Sequence, residues 1–106
     1  MRDDLEKIRD DIRKSFAHTF PETAGWTLLA ASSSGGCQRK YYLEESEALF
    51  MTPDGRYFHA SKRRYSYYEK SYTDYDDHYE KSIHEVDPER AGDIAASMAH
   101  RFEEGV

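Results

Sequence analysis

Ala48-Leu49-Phe50-Met51-Thr52-Pro53-Asp54-Gly55-Arg56-Tyr57-Phe58-His59-Ala60 reads as two strands folded back on a tight turn. Proline presets φ at the first central position of such a turn, and glycine accepts the left-handed conformation that must follow. The flanking runs are rich in aromatic and aliphatic residues, which suit a pleated, packed surface. A β-hairpin centred on Thr52–Gly55 therefore anchors the fold, and the rest of the chain is read outward from it.

On the C-terminal side lies the densest tyrosine stretch, holding seven of the nine tyrosines between Tyr57 and Tyr79. Tyr65, Tyr68, Tyr72, Tyr75, Tyr79, Ile83 and Val86 follow three-four spacing, so periodicity alone favours a helix. Charge order opposes that reading. Such a helix would begin at Lys62-Arg63-Arg64 and end among Glu80, Glu85 and Asp87, the reverse of what its dipole favours. Its Tyr, Ser, Thr and Asp content also suits strands and turns better than a helix interior. Two strands are therefore expected, over 56–68 and 79–86, joined by a polar loop around Ser71 to Asp77, with a helix as the alternative. Asp87-Pro88-Glu89-Arg90 then opens a helix, with an N-cap carboxylate and proline at the first position. Its buried stripe is read as Ala91, Ile94, Ala95, Met98 and Phe102.

On the N-terminal side a strand is expected over Cys37 to Glu44, and another over Trp26 to Ala31. Ser32-Ser33-Ser34-Gly35-Gly36 between them reads as a connector in a hairpin loop. Residues 3–20 form an amphipathic helix: Leu5, Ile8, Ile12, Phe16 and Phe20 make one stripe, and Pro21 stops it. The fold class that follows is α+β. An N-terminal helix, a four- or five-stranded antiparallel β-meander and a C-terminal helix make it up. Both helices are expected on one sheet face, leaving the other tyrosine-rich and partly exposed.

With 106 residues the chain is read as a single domain. Leu, Ile, Val and Phe total 16, so the core is thin, and a homodimer would supplement it. The net charge is −6 and uneven. Residues 1–36 carry five basic and six acidic side chains, 37–70 seven and five, and 71–106 three and ten. Overall acidity argues against general binding to duplex DNA. The single Cys37 excludes an intrachain disulfide and a four-cysteine zinc site. No apolar run approaches membrane-spanning length and the N-terminus is charged, so a soluble, cytoplasmic protein without membrane attachment is expected.

No catalytic set emerges. Cys37 has no identifiable base, Gly35-Gly36 lacks the lysine and hydroxyl of a phosphate loop, and the five histidines are scattered. His59 and His84 become neighbours if their strands pair, and an acid–base role would then need a carboxylate beside them. Asp74, Asp76 and His78 with Glu80 and Glu85 suggest a cation loop, yet Tyr79 stands where a calcium loop needs glycine. No metal and no cofactor are expected.

What remains is a contact surface at the basic-to-acidic junction, made of Arg63, Arg64, Tyr65, Tyr67, Tyr72, Asp74, Tyr75, Asp76 and Asp77. Tyrosine and arginine are enriched where proteins meet. The functional expectation is a non-catalytic protein-binding module of adaptor, chaperone-like or inhibitor type. As an inhibitor carried by a mobile element, it would use Asp74, Asp76, Asp77, Glu80 and Glu85 to imitate a phosphate backbone. The alternative is single-stranded nucleic-acid binding by Tyr41, Arg63 and Tyr65, which the acidic last third disfavours.

Overall fold

The structure, a computed structural model, describes residues 2–37, 41–68 and 75–102, with side chains at 2, 3, 37, 41, 67, 68 and 75–77 excepted. Helix α1 spans Arg2–Thr19 and gives way at Pro21 to a 3₁₀ turn, Pro21–Gly25. Buried Thr23 closes that turn, its hydroxyl donating to the Phe20 carbonyl over 2.9 Å. Four long strands follow: β1 (Thr27–Cys37), β2 (Tyr41–Met51), β3 (Tyr57–Tyr68) and β4 (Tyr75–Val86). Helix α2 (Pro88–Ser97) leads to a two-residue strand, β5 (His100–Arg101). The α+β class holds, with five antiparallel strands ordered β4-β3-β2-β1-β5 in one sheet.

The anchoring hairpin forms as its residues dictate. Gly55 has φ +88° and donates its N–H to the Thr52 carbonyl over 3.0 Å, while Thr52 N–H reaches the Arg56 carbonyl over 2.8 Å. The Thr52 hydroxyl donates to Asp54 and accepts the Arg56 N–H. This fixes the register, setting Phe50 opposite Phe58 and Ala48 opposite Ala60.

Several expected boundaries move. Ser32–Gly36 is strand, not connector: Ser33, Ser34, Gly35 and Gly36 face Ser46, Glu45, Glu44 and Leu43 across the β1–β2 pair. Ladder hydrogen bonds come from the backbone, so small side chains do not interrupt them. Glu44-Glu45-Ser46 likewise lies inside β2, and Cys37 ends β1 instead of opening the next strand. The helical alternative for 61–86 is overturned, since β3 and β4 pair residue for residue from Tyr57↔Val86 to Tyr68↔Tyr75. Of the expected polar loop, 75–77 belong to β4, and 71–74 lie outside the described residues.

The placing of both helices on one face is also corrected. Phe16 of α1 and Phe20 just after it pack on Leu28, Ala31, Ala48, Phe50 and Ala60. Ala91, Ile94 and Ala95 of α2, with Met98 just past its end, pack on Leu29, Ala30 and Leu49, with Met51, Tyr57 and Val86 beside them. Successive strand residues point to opposite faces. Leu28-Leu29, Leu49-Phe50 and Tyr57-Phe58 are thus apolar on both faces, and that end of the sheet needs two covers. A β-bulge at Leu29, between the Leu28↔Phe50 and Ala30↔Leu49 pairs, adds a second adjacent residue to the α2 side.

α2 is capped by Asp87, whose carboxylate accepts the Arg90 N–H over 2.7 Å. It ends at Ser97, earlier than the stripe to Phe102 implied. Having left β4 at one edge, the chain crosses to the other, where His100 pairs Ala31 and Arg101 pairs Ala30. Phe102 then joins the α1 cluster, its N–H donating to the Leu29 carbonyl over 2.8 Å. The meander therefore covers β1 to β4 only.

α1 uses only part of its stripe. Phe16 and Phe20 are buried, while Leu5 and Ile8 remain 43% and 39% exposed. Phe50 is the centre of this cluster, meeting Phe16 edge-on at 5.9 Å and Trp26 at 6.3 Å between ring centroids. Phe50→Ala is expected to lower the unfolding free energy by about 3–5 kcal/mol, read from urea unfolding followed by Trp26 emission. A loss below about 0.5 kcal/mol, the scale of an ordinary surface change, would contradict this packing.

Candidate binding surface

The strands run on past α2, and past α1 beyond the Lys62–Lys81 pair. The covered end comprises 27–31, 48–51, 57–60 and 83–86, whereas 32–37, 41–47, 61–68 and 75–82 extend beyond it. Alternation sorts this uncovered half onto two faces.

On the α1 side Lys62 stands opposite Lys81, a like-charged pair that would ordinarily repel. Each ammonium is instead directed to the C-terminal turn of α1. Lys62 Nζ donates to the Ser15 carbonyl over 3.1 Å and lies 4.7 Å from the Phe16 ring centroid. Lys81 Nζ approaches the Thr19 carbonyl at 3.5 Å and the Phe20 ring at 5.8 Å. The negative end of the helix dipole welcomes both cations. Burial lowers the pKa of Lys62, and Glu44 partly opposes this. Farther out, Arg64 Nε lies 3.5 Å from a Glu44 carboxylate oxygen. A Cβ at Gly35 would stand 3.2 Å from Tyr42 Oη, so glycine there leaves room for the tyrosine to lie across β1.

The α2 side is built in rows. Ser32, Glu47, Ser61 and Ser82 are successive partners across β1, β2, β3 and β4, and Ser34, Glu45, Arg63 and Glu80 form the next row. These short and polar side chains line a shallow trough of about 390 Å³. Ser61 and Ser82 share a hydroxyl hydrogen bond of 2.9 Å, and Ser32 Oγ accepts the Ala99 N–H over 2.7 Å. Arg63 lies in the trough, 2.8 Å from Glu45 and 4.0 Å from Glu80, and donates to Tyr65 Oη over 3.1 Å.

At the α2 end of the trough the expected meeting of His59 and His84 occurs, with ring centroids 5.4 Å apart. Glu47 supplies a carboxylate 3.5 Å from His59 Nε2, which is buried and has no hydrogen-bond partner. Burial lowers the His59 pKa below its ordinary 6.5; Glu47 opposes the shift, while His84 and Arg90 add to it. No hydroxyl is bonded to His59 Nε2 for it to activate.

The sequence-derived site divides. Arg63 and Tyr65 share the α2 side, and Arg64 turns to the other face. In backbone register Tyr67 is opposite Asp76, Ser66 opposite Asp77 and Tyr68 opposite Tyr75, while Tyr72 and Asp74 lie outside the described residues. Lys62-Arg63-Arg64 is therefore not one basic patch, because its three cations are held by α1, Glu45 and Glu44 respectively. Sequence reasoning missed the trough residues Ser32, Ser34, Glu45, Glu47, Ser61 and Ser82. Their signal was period-two alternation of short polar residues in four segments, masked because Ser32–Gly36 resembles a loop.

Among the described residues, no group of three or more His, Cys, Asp and Glu side chains is placed to hold a metal ion, and no helix is long and apolar enough to cross a membrane. The proposed cation set with Asp74 falls partly outside those residues. Comparison with protein-family models, with curated proteins and with solved structures gives no significant match.

A pH dependence follows from His59. Because its folded pKa is depressed, the unfolded chain binds the proton more readily; stability is full above about pH 6.5 and falls as pH drops toward the folded value. The thermal midpoint should decline between pH 7.5 and 5.0, and less steeply in His59→Gln. Equal slopes in the two proteins would rule out this residue as the cause.

Proposed function

We propose that this protein acts by binding another protein through the uncovered half of its sheet, without catalysing a reaction. The observation that carries this reading is the extent of the strands. Beyond the Lys62 and Lys81 contacts with α1, four strands continue past the helices, and a trough floored by serines and edged by Glu45, Glu47, Glu80 and Arg63 lies on one face. Ordered backbone that covers no core is a presented surface. Tyr79, opposite Arg64 on the other face, is 71% exposed and presents a large amphipathic side chain there.

The arrangement of charge weighs against nucleic acid. Binding a phosphate backbone needs cations that act together on one face. Here Arg63 and Arg64 face opposite ways and each meets a β2 glutamate, while Lys62 serves α1. An adaptor, chaperone-like or inhibitor role in the cytoplasm accords with the small size and acidity of the chain.

The test places bulk in the trough. Affinity capture from native cells is compared for the unaltered protein and Ser61→Trp, with circular dichroism confirming that both are folded. A protein is expected with the former and at least tenfold less of it with Ser61→Trp. Equal recovery would remove this face from consideration. A nuclease-sensitive companion, with no protein retained, would overturn the protein-binding reading itself.

A further inference from the structure

We infer that the trough receives a partner's extended Arg-x-Arg segment, and that Arg63 is an internal stand-in for one of its guanidinium groups. The inference rests on the protein-binding reading and names the chemistry of the partner.

The charge of the trough favours a cationic occupant. Its carboxylates are Glu45, Glu47 and Glu80, and Arg63 is the one cation whose side chain lies among them in the described rows. Lys62 and Lys81 also line the trough, yet their ammonium groups are held by the Ser15 and Thr19 carbonyls of α1 on the other face. Glu47 has only the His59 imidazole within ion-pair distance among the described residues. One carboxylate is thus uncompensated, and the other two are shared by a single guanidinium. Glu47 is 51% exposed and Glu80 63%, so both are open to an incoming group.

Arg63 shows which group fits. Its two terminal nitrogens address separate carboxylates, 2.8 Å to Glu45 and 4.0 Å to Glu80. A planar fork can meet two acceptors in this way, whereas an ammonium acts as a single point of charge. The 4.0 Å arm is long for a hydrogen bond, so the resident group does not saturate the site.

Spacing sets the form of the partner. Glu45 and Glu47 stand two residues apart on β2, in adjacent rows. Same-face neighbours on a strand are separated by about 6.5–7 Å, and alternate side chains of an extended peptide have that same spacing. An extended Arg-x-Arg segment lying along β2 would set one guanidinium at Glu47 and the next between Glu45 and Glu80. The second must displace Arg63, and this competition weakens apparent affinity in the unaltered protein. The serines leave space above the sheet and offer hydroxyls to the peptide backbone.

The inference predicts a sign for Arg63→Ala that a recognition role for Arg63 would reverse. The probe is the blocked pentapeptide Gly-Arg-Ser-Arg-Gly, titrated in low salt and followed by amide chemical shifts. Arg63→Ala is expected to bind it at least fivefold more tightly than the unaltered protein, with shifts concentrated at Ser32, Glu47, Ser61 and Ser82. Glu45→Gln/Glu47→Gln should bind at least fivefold more weakly, and Gly-Arg-Arg-Ser-Gly or Gly-Glu-Ser-Glu-Gly should lose most of the affinity. Arg63→Met keeps the aliphatic stem and replaces the alanine variant should that one lose its thermal transition. Unchanged or weaker binding on removal of Arg63, or shifts centred elsewhere, would overturn the inference. A captured partner that is lost in Ser61→Trp but indifferent to Glu45→Gln/Glu47→Gln would also overturn it, leaving the trough a docking face for other chemistry.

Discussion

The register fixed at the Thr52–Gly55 turn governs everything beyond it. Ala48↔Ala60 and the Phe50↔Phe58 pair place Phe50, Ala48 and Ala60 in the core that α1 covers, with Phe58 beside Trp26 on the same face. Strand alternation then propagates that choice outward. Lys62 must fall beneath α1 and Arg63 must fall in the trough, two positions apart in role though adjacent in the chain. A slip of one residue would exchange the faces of an entire strand. Lys62 would then lose the helix carbonyls, and Arg63 would be carried away from Glu45. The positive φ of Gly55 is the local requirement that makes this register favourable, because other residues adopt that conformation at a cost.

The structure divides charge according to the same logic. Cations next to one another in sequence are separated by the thickness of the sheet, and each is matched where it arrives. Lys62 and Lys81 complete the C-terminal end of a helix, and their stems pass over Phe16 and Phe20. Arg63 and Arg64 meet consecutive glutamates of β2 on opposite faces. Ion pairs this exposed add little stability. Their arrangement matters more for what the surface can attract than for holding the strands together.

Much of the fold was legible because local signals agreed with tertiary need. The hairpin turn, the Pro21 stop and the Asp87-Pro88 helix start each rest on backbone chemistry of a few residues. What was not legible required knowledge of partners far along the chain. Ser32–Gly36 looks like a loop because its own side chains give no reason for a strand; the reason lies in residues 43–46, with which it pairs. The opposite placement of the helices was in fact written in the doubly apolar steps Leu28-Leu29, Leu49-Phe50 and Tyr57-Phe58. Counting one stripe per helix, without asking which sheet face received it, concealed this. For the candidate surface, the composition was informative and its grouping was not. Arg63 and Tyr65 share a face with each other but not with Arg64, and the alternation that separates them is invisible to a search for clusters.

One end of the sheet is clamped between two layers of apolar side chains, whereas residues 42–47 of β2 at the other are half-buried or exposed. Mechanically this is a cantilever. Opening a ladder bond near Leu49 means disturbing tightly packed groups on both faces, whereas opening one near Glu45 disturbs almost none. Free energies of local opening scale with that difference. The free end is therefore the more compliant one, while the clamped end keeps its shape.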